Sequence, residues 1–288
     1  MSHATPDVFA TIAALVIYPV KSCAGVVVAE AMLTEAGLDL DRAWMVVDAT
    51  GDFVSQRELP RMVLIRPQIK TYEIILRAPG MLALHLAIDA VEQPLRVRVW
   101  DDEVAAYDMG AVAAQWFTDF LGQPLRLVRF DPDHRRLSSL KWTGGIEAPN
   151  SFSDGFPLLV TSTASLDTLN RRLADGGHSK VEMARFRPNL VLEGLESHDE
   201  DRLDVLRVTT ETGVVELKPV KPCARCPIPN VDPVTAEPGP QVSDTLQAYR
   251  QDPRLNGAVT FGMNAIVLQG DSQVLRVGQS VTADFRFD

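Results

Sequence analysis

Lys218-Pro-Val-Lys221-Pro-Cys223-Ala-Arg225-Cys226-Pro-Ile-Pro-Asn230-Val-Asp232-Pro233 holds two of the three cysteines of a 288-residue chain. They are three residues apart, with Lys218, Lys221 and Arg225 beside them. Neighbouring cations favour the thiolate, which is the nucleophilic and metal-binding form of the side chain. Soft thiolate sulfur suits sulfur-loving metals. From these residues alone three readings stand open. A structural zinc site needs four ligands, but the remaining cysteine is Cys23, far away in the chain, and the five histidines show no paired spacing. A thioredoxin-type pair opens a helix, which Pro227 and Pro229 oppose. Two cysteines in an ordinary loop are the plain alternative.

Working outward, other cations recur at strand ends and turns: Tyr18-Pro-Val-Lys21-Ser22-Cys23, Asp41-Arg42-Ala-Trp44, Gln56-Arg57-Glu-Leu-Pro-Arg61 and Arg185-Phe-Arg187-Pro-Asn189. Each alone fits a solvated surface charge. Their setting is an acidic chain of formal charge −10 and pI near 5.0. Such a chain repels nucleic-acid phosphate and anionic membranes, so neither is expected as a partner. No apolar run approaches the roughly 20 residues that span a bilayer. The segment before the first apolar run lacks a basic start followed by an apolar stretch, and three sparse cysteines are no disulfide scaffold. A reducing, cytoplasmic setting is expected.

The first hundred residues read mostly as short strands rich in Val, Ile and Leu: Thr11 to Val20, Gly25 to Leu33, Ala43 to Val47, Met62 to Ile69, Thr71 to Leu76 and Leu95 to Trp100. Close spacing of such strands suggests a compact barrel or sandwich. Ala111 to Leu121 has helical spacing and stops at Gly122. Asp131 to Phe156 is polar and reads as a connection. Pro157 to Val160 reads as a strand leading into a helix over Ala164 to Leu173, capped by Ser162 or Thr163. Further strands fit Asn189 to Leu192, Val205 to Thr209, Val214 to Lys218, Ala258 to Leu268 and Val281 to Phe287, with a polar helix at Asp244 to Arg250. The pattern predicts a β-rich α+β chain in two parts that join between about residues 105 and 155.

With these residues in hand, the chain resembles the MOSC-domain molybdenum proteins that carry a MOSC N-terminal β-barrel, and within them the branch of the mitochondrial amidoxime-reducing component and its bacterial relatives. The markers are Tyr-Pro-Val-Lys-Ser-Cys at 18–23, Asp-Arg-x-Trp at 41–44, Phe-Arg-Pro-Asn at 186–189, Cys-x-Arg-Cys at 223–226 followed by Val-Asp-Pro at 231–233, and Phe261-Gly262. The resemblance runs from about Ile12 to Phe287. It implies a β-barrel-like domain over 1–125 packed with a MOSC β-barrel domain over 126–288.

The resemblance also implies chemistry. Cys226 would bind the metal of a molybdenum–molybdopterin cofactor. Lys21, Ser22, Arg42, Ser162, Arg187, Asn189 and Arg225 would hold that cofactor. A pterin phosphate needs cations and backbone donors, and a capped helix start such as Ser162 is a ready anion site. Cys226 and Asp232 would be the catalytic pair, with Asp232 delivering protons; a turn residue before Pro233 is the alternative for that carboxylate. The implied activity is reduction of N-hydroxylated or related N- or S-oxygenated small molecules. Electrons would come from an external ferredoxin-like or cytochrome-linked donor. The alternative is a carrier of the cofactor, or a sulfur-transfer protein, without turnover of its own. The branch has Ser where this chain has Ala224, and two Thr where it has Pro229 and Asn230, which bears on substrate choice.

Overall fold

The computed structural model describes residues 5–286. Its centre is a closed seven-stranded barrel. Around the barrel run Leu158–Ser162, Leu190–Glu193, Val8–Ile17, Ser280–Ala283, Leu206–Thr209, Val214–Ala224 and Ala258–Gln269, and the last pairs back to the first. Alternation explains why these segments are strands. In Leu206–Thr209 and Val214–Ala224, Leu206, Val208, Val215 and Leu217 point inward while Arg207 and Val214 face out. With Ile12, Leu15, Val160, Leu192 and Val281 they form one continuous core. Burying each such aliphatic side chain stabilises the fold by about 1.5–3 kcal/mol.

Closure depends on the first strand. Val8–Ile17 pairs Leu15 with Leu190 on one side and Val8 with Ala283 on the other. The Val8–Ile17 strand is therefore built into a barrel made otherwise from the second half of the chain. The Leu158–Ser162 and Leu190–Glu193 strands are parallel, Val160 opposite Leu190. Parallel neighbours need a crossover, and helix α3, Thr163–Asp175, belongs to it.

The rest of the first half carries two further sheets. One has four strands in the order Trp44–Val47, Arg126–Phe130, Asp102–Asp108, Pro94–Val99; the other joins Arg66–Ile69, Glu73–Arg77 and Leu84–Ala87. Helix α1, Gly110–Leu121, packs Ala113, Phe117, Phe120 and Leu121 into a core with Trp44, Val46, Ile74 and Leu76. It ends at Gly122 in a left-handed conformation, as expected of a glycine stop. The fold is β-rich with four α-helices among the described residues.

Several expectations shift in detail. The strand expected over Met62 to Ile69 begins as a 3-10 turn, Pro60–Leu64, and becomes a strand only at Arg66–Ile69. Proline at the start of the turn presets its φ, and Met62 and Val63 are buried from the turn itself. The connection over 131–156 contains a short helix, α2, Leu140–Thr143. The polar helix is α4, Gln241–Gln247. The last strand is Ser280–Ala283, and Phe287, the end of the expected one, lies outside the described residues.

Candidate functional site: a cationic cleft around Cys226

The Val214–Ala224 strand runs straight into the cysteine motif. Cys223 and Ala224 are its last residues; Arg225 and Cys226 follow, and Pro227 turns the chain into a 3-10 turn at Ile228–Asn230. The Arg225 backbone N–H still donates to the Val259 carbonyl at 2.8 Å. The motif is thus a strand end, not a helix start. That geometry disfavours the thioredoxin-type reading.

Two stretches of the first half are zipped together beside it. Arg42 N–H donates to the Tyr18 carbonyl, Trp44 N–H to Pro19 and Lys21 N–H to Trp44, at 2.8, 3.0 and 2.8 Å. The Asp41 carboxylate accepts from Tyr18 N–H at 2.8 Å. This ladder explains why Tyr-Pro-Val-Lys-Ser-Cys and Asp-Arg-x-Trp occur together: each needs the other to satisfy its backbone. Arg42 then reaches across to the second half. One guanidinium nitrogen donates to Asp41 and to Asn189 Oδ1, the latter at 2.9 Å, and the other to the Arg187 carbonyl at 3.0 Å. Arg187 answers by donating to the Cys23 carbonyl at 2.6 Å. The buried Tyr18 ring lies against both guanidiniums, 4.5 Å from Arg42 and 4.3 Å from Arg187. Burial pushes the Tyr18 phenol up to about 12 although both cations pull it down.

These residues line a solvent-open cleft. Lys21, Ser22, Arg42, Arg187, Asn189, Arg225 and Cys226 all face it, as do Cys223, Ser55, Arg57, Asp154, Phe156 and Asn264. Among the described lining residues five side chains are cationic and one, Asp154, is acidic. Ser22, Arg42 and Arg187 adopt left-handed backbone conformations, at φ of 67°, 50° and 59°. Non-glycine residues pay for that conformation, and such outliers cluster at functional sites.

Lys21 is buried and donates to the Phe152 carbonyl at 2.8 Å and to Asp154 at 2.5 Å. Burial lowers the Lys21 ammonium below its usual range while Asp154 opposes the shift. Lys21, with Arg42 and Arg57, holds the Asp154 carboxyl well below the carboxylate range. Its side chain is two-thirds exposed, so this charge sits at the rim. Arg136 fixes the loop that presents it, donating to Asn150 Oδ1 and to the carbonyls of Ser151 and Ser153 at 2.6, 2.9 and 2.7 Å.

Arg225 donates to the Phe186 carbonyl and to the Cys223 sulfur, both at 3.0 Å. Its Nε is buried and has no partner among the described residues. Cys223 and Cys226 are free, half-buried thiols, and Cys23 is a buried one that burial pushes up to about 12. Behind the cleft, Phe186 stacks on Phe261 with ring centroids 3.9 Å apart. Gly262 follows at φ +77°, where a Cβ would meet Thr161 and the Val160 carbonyl at 2.7 Å. Only glycine lets the two strands approach this closely.

Two residues expected at the site lie elsewhere. Ser162 caps α3: its hydroxyl accepts from Ser165 N–H at 3.2 Å and donates to the buried Glu200 carboxylate at 2.9 Å. The helix start is thus served by the Ser162 hydroxyl, which Glu200 in turn holds in place. Asp232 pairs with Arg185 at 2.7 Å and accepts from the N–H groups of Val234 and Thr235. Burial raises the Asp232 carboxyl, but those two N–H groups and Arg185 outweigh it and keep it below the usual range. It is a turn residue with a bound cation. Conversely, Ser55, Asp154 and Asn264 join the cleft with no local motif to announce them; Arg57 belonged to the cation series, though not to the expected cofactor residues.

The sequence matches the MOSC N-terminal beta barrel domain over residues 9–124 and the MOSC domain over residues 147–282. Mitochondrial amidoxime-reducing component 1 of Homo sapiens is 39% identical over 252 residues, covering 84% of this chain and 72% of that protein. The chain belongs to the MOSC-domain family. This MOSC protein is also 37% identical to mitochondrial amidoxime reducing component 2 of Homo sapiens over 83% of its length and 72% of the relative's. Molybdenum cofactor sulfurase of Homo sapiens is 28% identical over 86% of the MOSC protein, which matches 29% of that larger chain. None of its described helices is long and apolar enough to cross a membrane.

Proposed function

We propose that this chain binds a molybdenum–molybdopterin cofactor in the Cys226 cleft and reduces N-hydroxylated or related N- or S-oxygenated small molecules with electrons from an external redox protein. The observation that carries the reading is the composition of one cleft: a free thiol, Cys226, among Lys21, Arg42, Arg57, Arg187 and Arg225. The amidoxime-reducing relatives point to the same chemistry.

The donor set fits the group. A thiolate is a metal ligand, cations and the buried, unpartnered Nε of Arg225 suit an anionic pterin phosphate, and Asn189 and Ser22 add neutral polar groups. Bound molybdenum supplies two-electron oxygen-atom chemistry. In this reading the Cys226 sulfur holds the metal, and Arg225, fixed by Phe186 and Cys223, keeps the strand end that carries it in place. Arg42 and Arg187 grip the organic part, braced by Asn189 and the Tyr18 ring. Reduction of an N–OH group consumes two electrons and two protons and releases water. The electrons come from the partner. The two thirds of the Asp154 side chain that are exposed mark the solvent side of the cleft, where substrate enters and protons exchange with water.

A second reading is a cofactor carrier or sulfur-transfer protein, favoured by the likeness to molybdenum cofactor sulfurase and by the second thiol, Cys223, in the same cleft. One experiment separates them. The protein is purified from a host that makes the cofactor, metal and pterin are measured per chain, and reduced viologen is supplied with an amidoxime. Turnover supports the reductase; bound cofactor without turnover on any N- or S-oxygenated compound supports the carrier. A chain that takes up neither metal nor pterin ends both.

A further inference from the structure

A compact loop stands beside the cleft. Leu137 and Pro149 pair as an isolated bridge, and Ser138 N–H donates to the Ala148 carbonyl at 2.9 Å, so the two ends of the 137–149 segment are tied together. Helix α2 lies within it, and Thr143 closes the tip by donating to the Ile146 carbonyl at 2.6 Å. The loop spends its apolar side chains outward: Leu137 is 37% exposed, Leu140 50% and Ile146 38%. Three aliphatic side chains of one short loop are thus presented to water, and apolar side chains gathered in this way mark interaction surfaces.

The charge left without an ion-pair partner on and beside it is positive. Lys141 Nζ lies 5.9 Å from the Trp142 ring, and Lys221 Nζ lies 5.4 Å from the same ring and 5.8 Å from Phe156. Neither lysine has a carboxylate partner among the described residues, whereas Glu147 is already paired with Arg135 at 3.0 Å. Phe156 lines the cleft. The loop that carries these aliphatic side chains and Lys141 therefore continues, through Trp142, Lys221 and Phe156, into the wall of the cleft.

We propose that this face, Leu137, Leu140, Lys141, Trp142, Ile146 and Lys221, is the docking surface for an acidic electron-carrier protein. The inference rests on the reductase reading, which needs electrons from outside. It commits to an acidic carrier because the patch is positive in a chain of charge −10. Complementary charge steers encounter, and a small apolar centre holds the transient complex. Continuity with Phe156 places the carrier against the cleft wall, where the electron path is short.

The test uses the cofactor-loaded full chain and two acidic probes, a [2Fe–2S] ferredoxin and a b-type haem domain. Calorimetry at low salt reads binding without turnover. Lys141→Glu and Leu140→Ser, neither in the cleft, are each expected to weaken at least one probe about tenfold. Added salt should weaken wild-type binding and not that of Lys141→Glu. Viologen-driven turnover should stay unchanged in both variants, while carrier-driven turnover should fall. Equal binding of both probes by wild type and variants overturns the proposal, as does no binding of either. So does a variant effect confined to phosphatidylserine vesicles or to self-association in the ultracentrifuge, which would assign the face to a membrane or a second copy. Loss of the reductase reading would show separately, as absent viologen turnover in the wild type.

Discussion

Arg42 donates to the carbonyl of Arg187 at 3.0 Å, so a cation from the first half of the chain fixes the backbone that presents a cation from the second. Arg187 sits at the C-terminal end of the 3-10 turn Met183–Phe186, in a left-handed conformation. Arg42 supplies the compensation for that conformation.

Asn189 is the joint of the same arrangement. It is buried, accepts from Arg42 at 2.9 Å and from Leu159 N–H at 3.1 Å, and donates to the Val16 carbonyl at 3.2 Å. Asn189→Ala strands three partners at once. Buried groups left unpaired cost about 1–3 kcal/mol each, less where water enters. A loss of about 2–4 kcal/mol in urea unfolding is expected, with metal content falling alongside. A loss under about 0.5 kcal/mol would show that these contacts are not what joins the two halves.

Cys226→Ser separates ligand from scaffold. The residue is half-buried at a strand end, outside every core cluster. Its replacement should leave the melting temperature nearly unchanged, since substitutions away from packed features stay within about 0.5 kcal/mol. Molybdenum per chain should drop to background. Full metal retention in the serine variant would remove the sulfur–metal bond from the mechanism. Cys223→Ser should keep its metal, because Arg225 already engages that sulfur.

The residues that made the fold legible were those with a period or a mandatory neighbour. Gly122, Ser162 and the alternating strands around Leu206 and Leu217 act through local chemistry that a sequence displays. The Asp102–Asp108 strand is harder to see: it opens on two acids and has Ala105 and Ala106 at its centre, residues with little strand preference. Met62 to Ile69 misleads because a short apolar run does not distinguish a buried turn from a strand. Within the site, Lys21, Arg42, Arg187 and Cys226 stand in motifs. Asp154, Ser55 and Asn264 are brought to the cleft only by tertiary packing, and no spacing in the chain encodes that.

Ser162 and Asp232 give a paired control. Ser162→Ala should cost about 1–2 kcal/mol through the lost helix cap, and somewhat more because Glu200 loses a donor. Its molybdenum content at a temperature where it is folded should equal the wild type's. Asp232→Asn should leave the pH profile of viologen-driven turnover in place, because a carboxylate held ionised by the Val234 and Thr235 N–H groups and Arg185 is a poor proton donor at neutral pH. A profile that moved with Asp232 would return that residue to the chemistry.

His198 offers a test of pH dependence away from the cleft. Its ring lies 5.7 Å from Tyr249 and 6.1 Å from Phe261, and both ring nitrogens are buried with no partner among the described residues. Burial, followed by Arg250 and Arg172, depresses it to about 4 from 6.5. Between those two values the unfolded chain binds the proton and the folded one does not, so stability rises with pH across that window. The neutral ring's contribution is complete above about pH 6.5 and is lost as pH falls toward 4. Glu200 and Asp201, both raised by burial, act in the opposite sense, so the wild-type curve alone does not isolate the histidine. The comparison is with His198→Asn, since the residue's φ of 66° is one asparagine tolerates. The stability difference, wild type minus variant, should be larger at pH 7 than at pH 4 in denaturant titrations. A difference that stays constant across that range would mean the histidine is hydrated in the folded protein and titrates as it does in the unfolded chain.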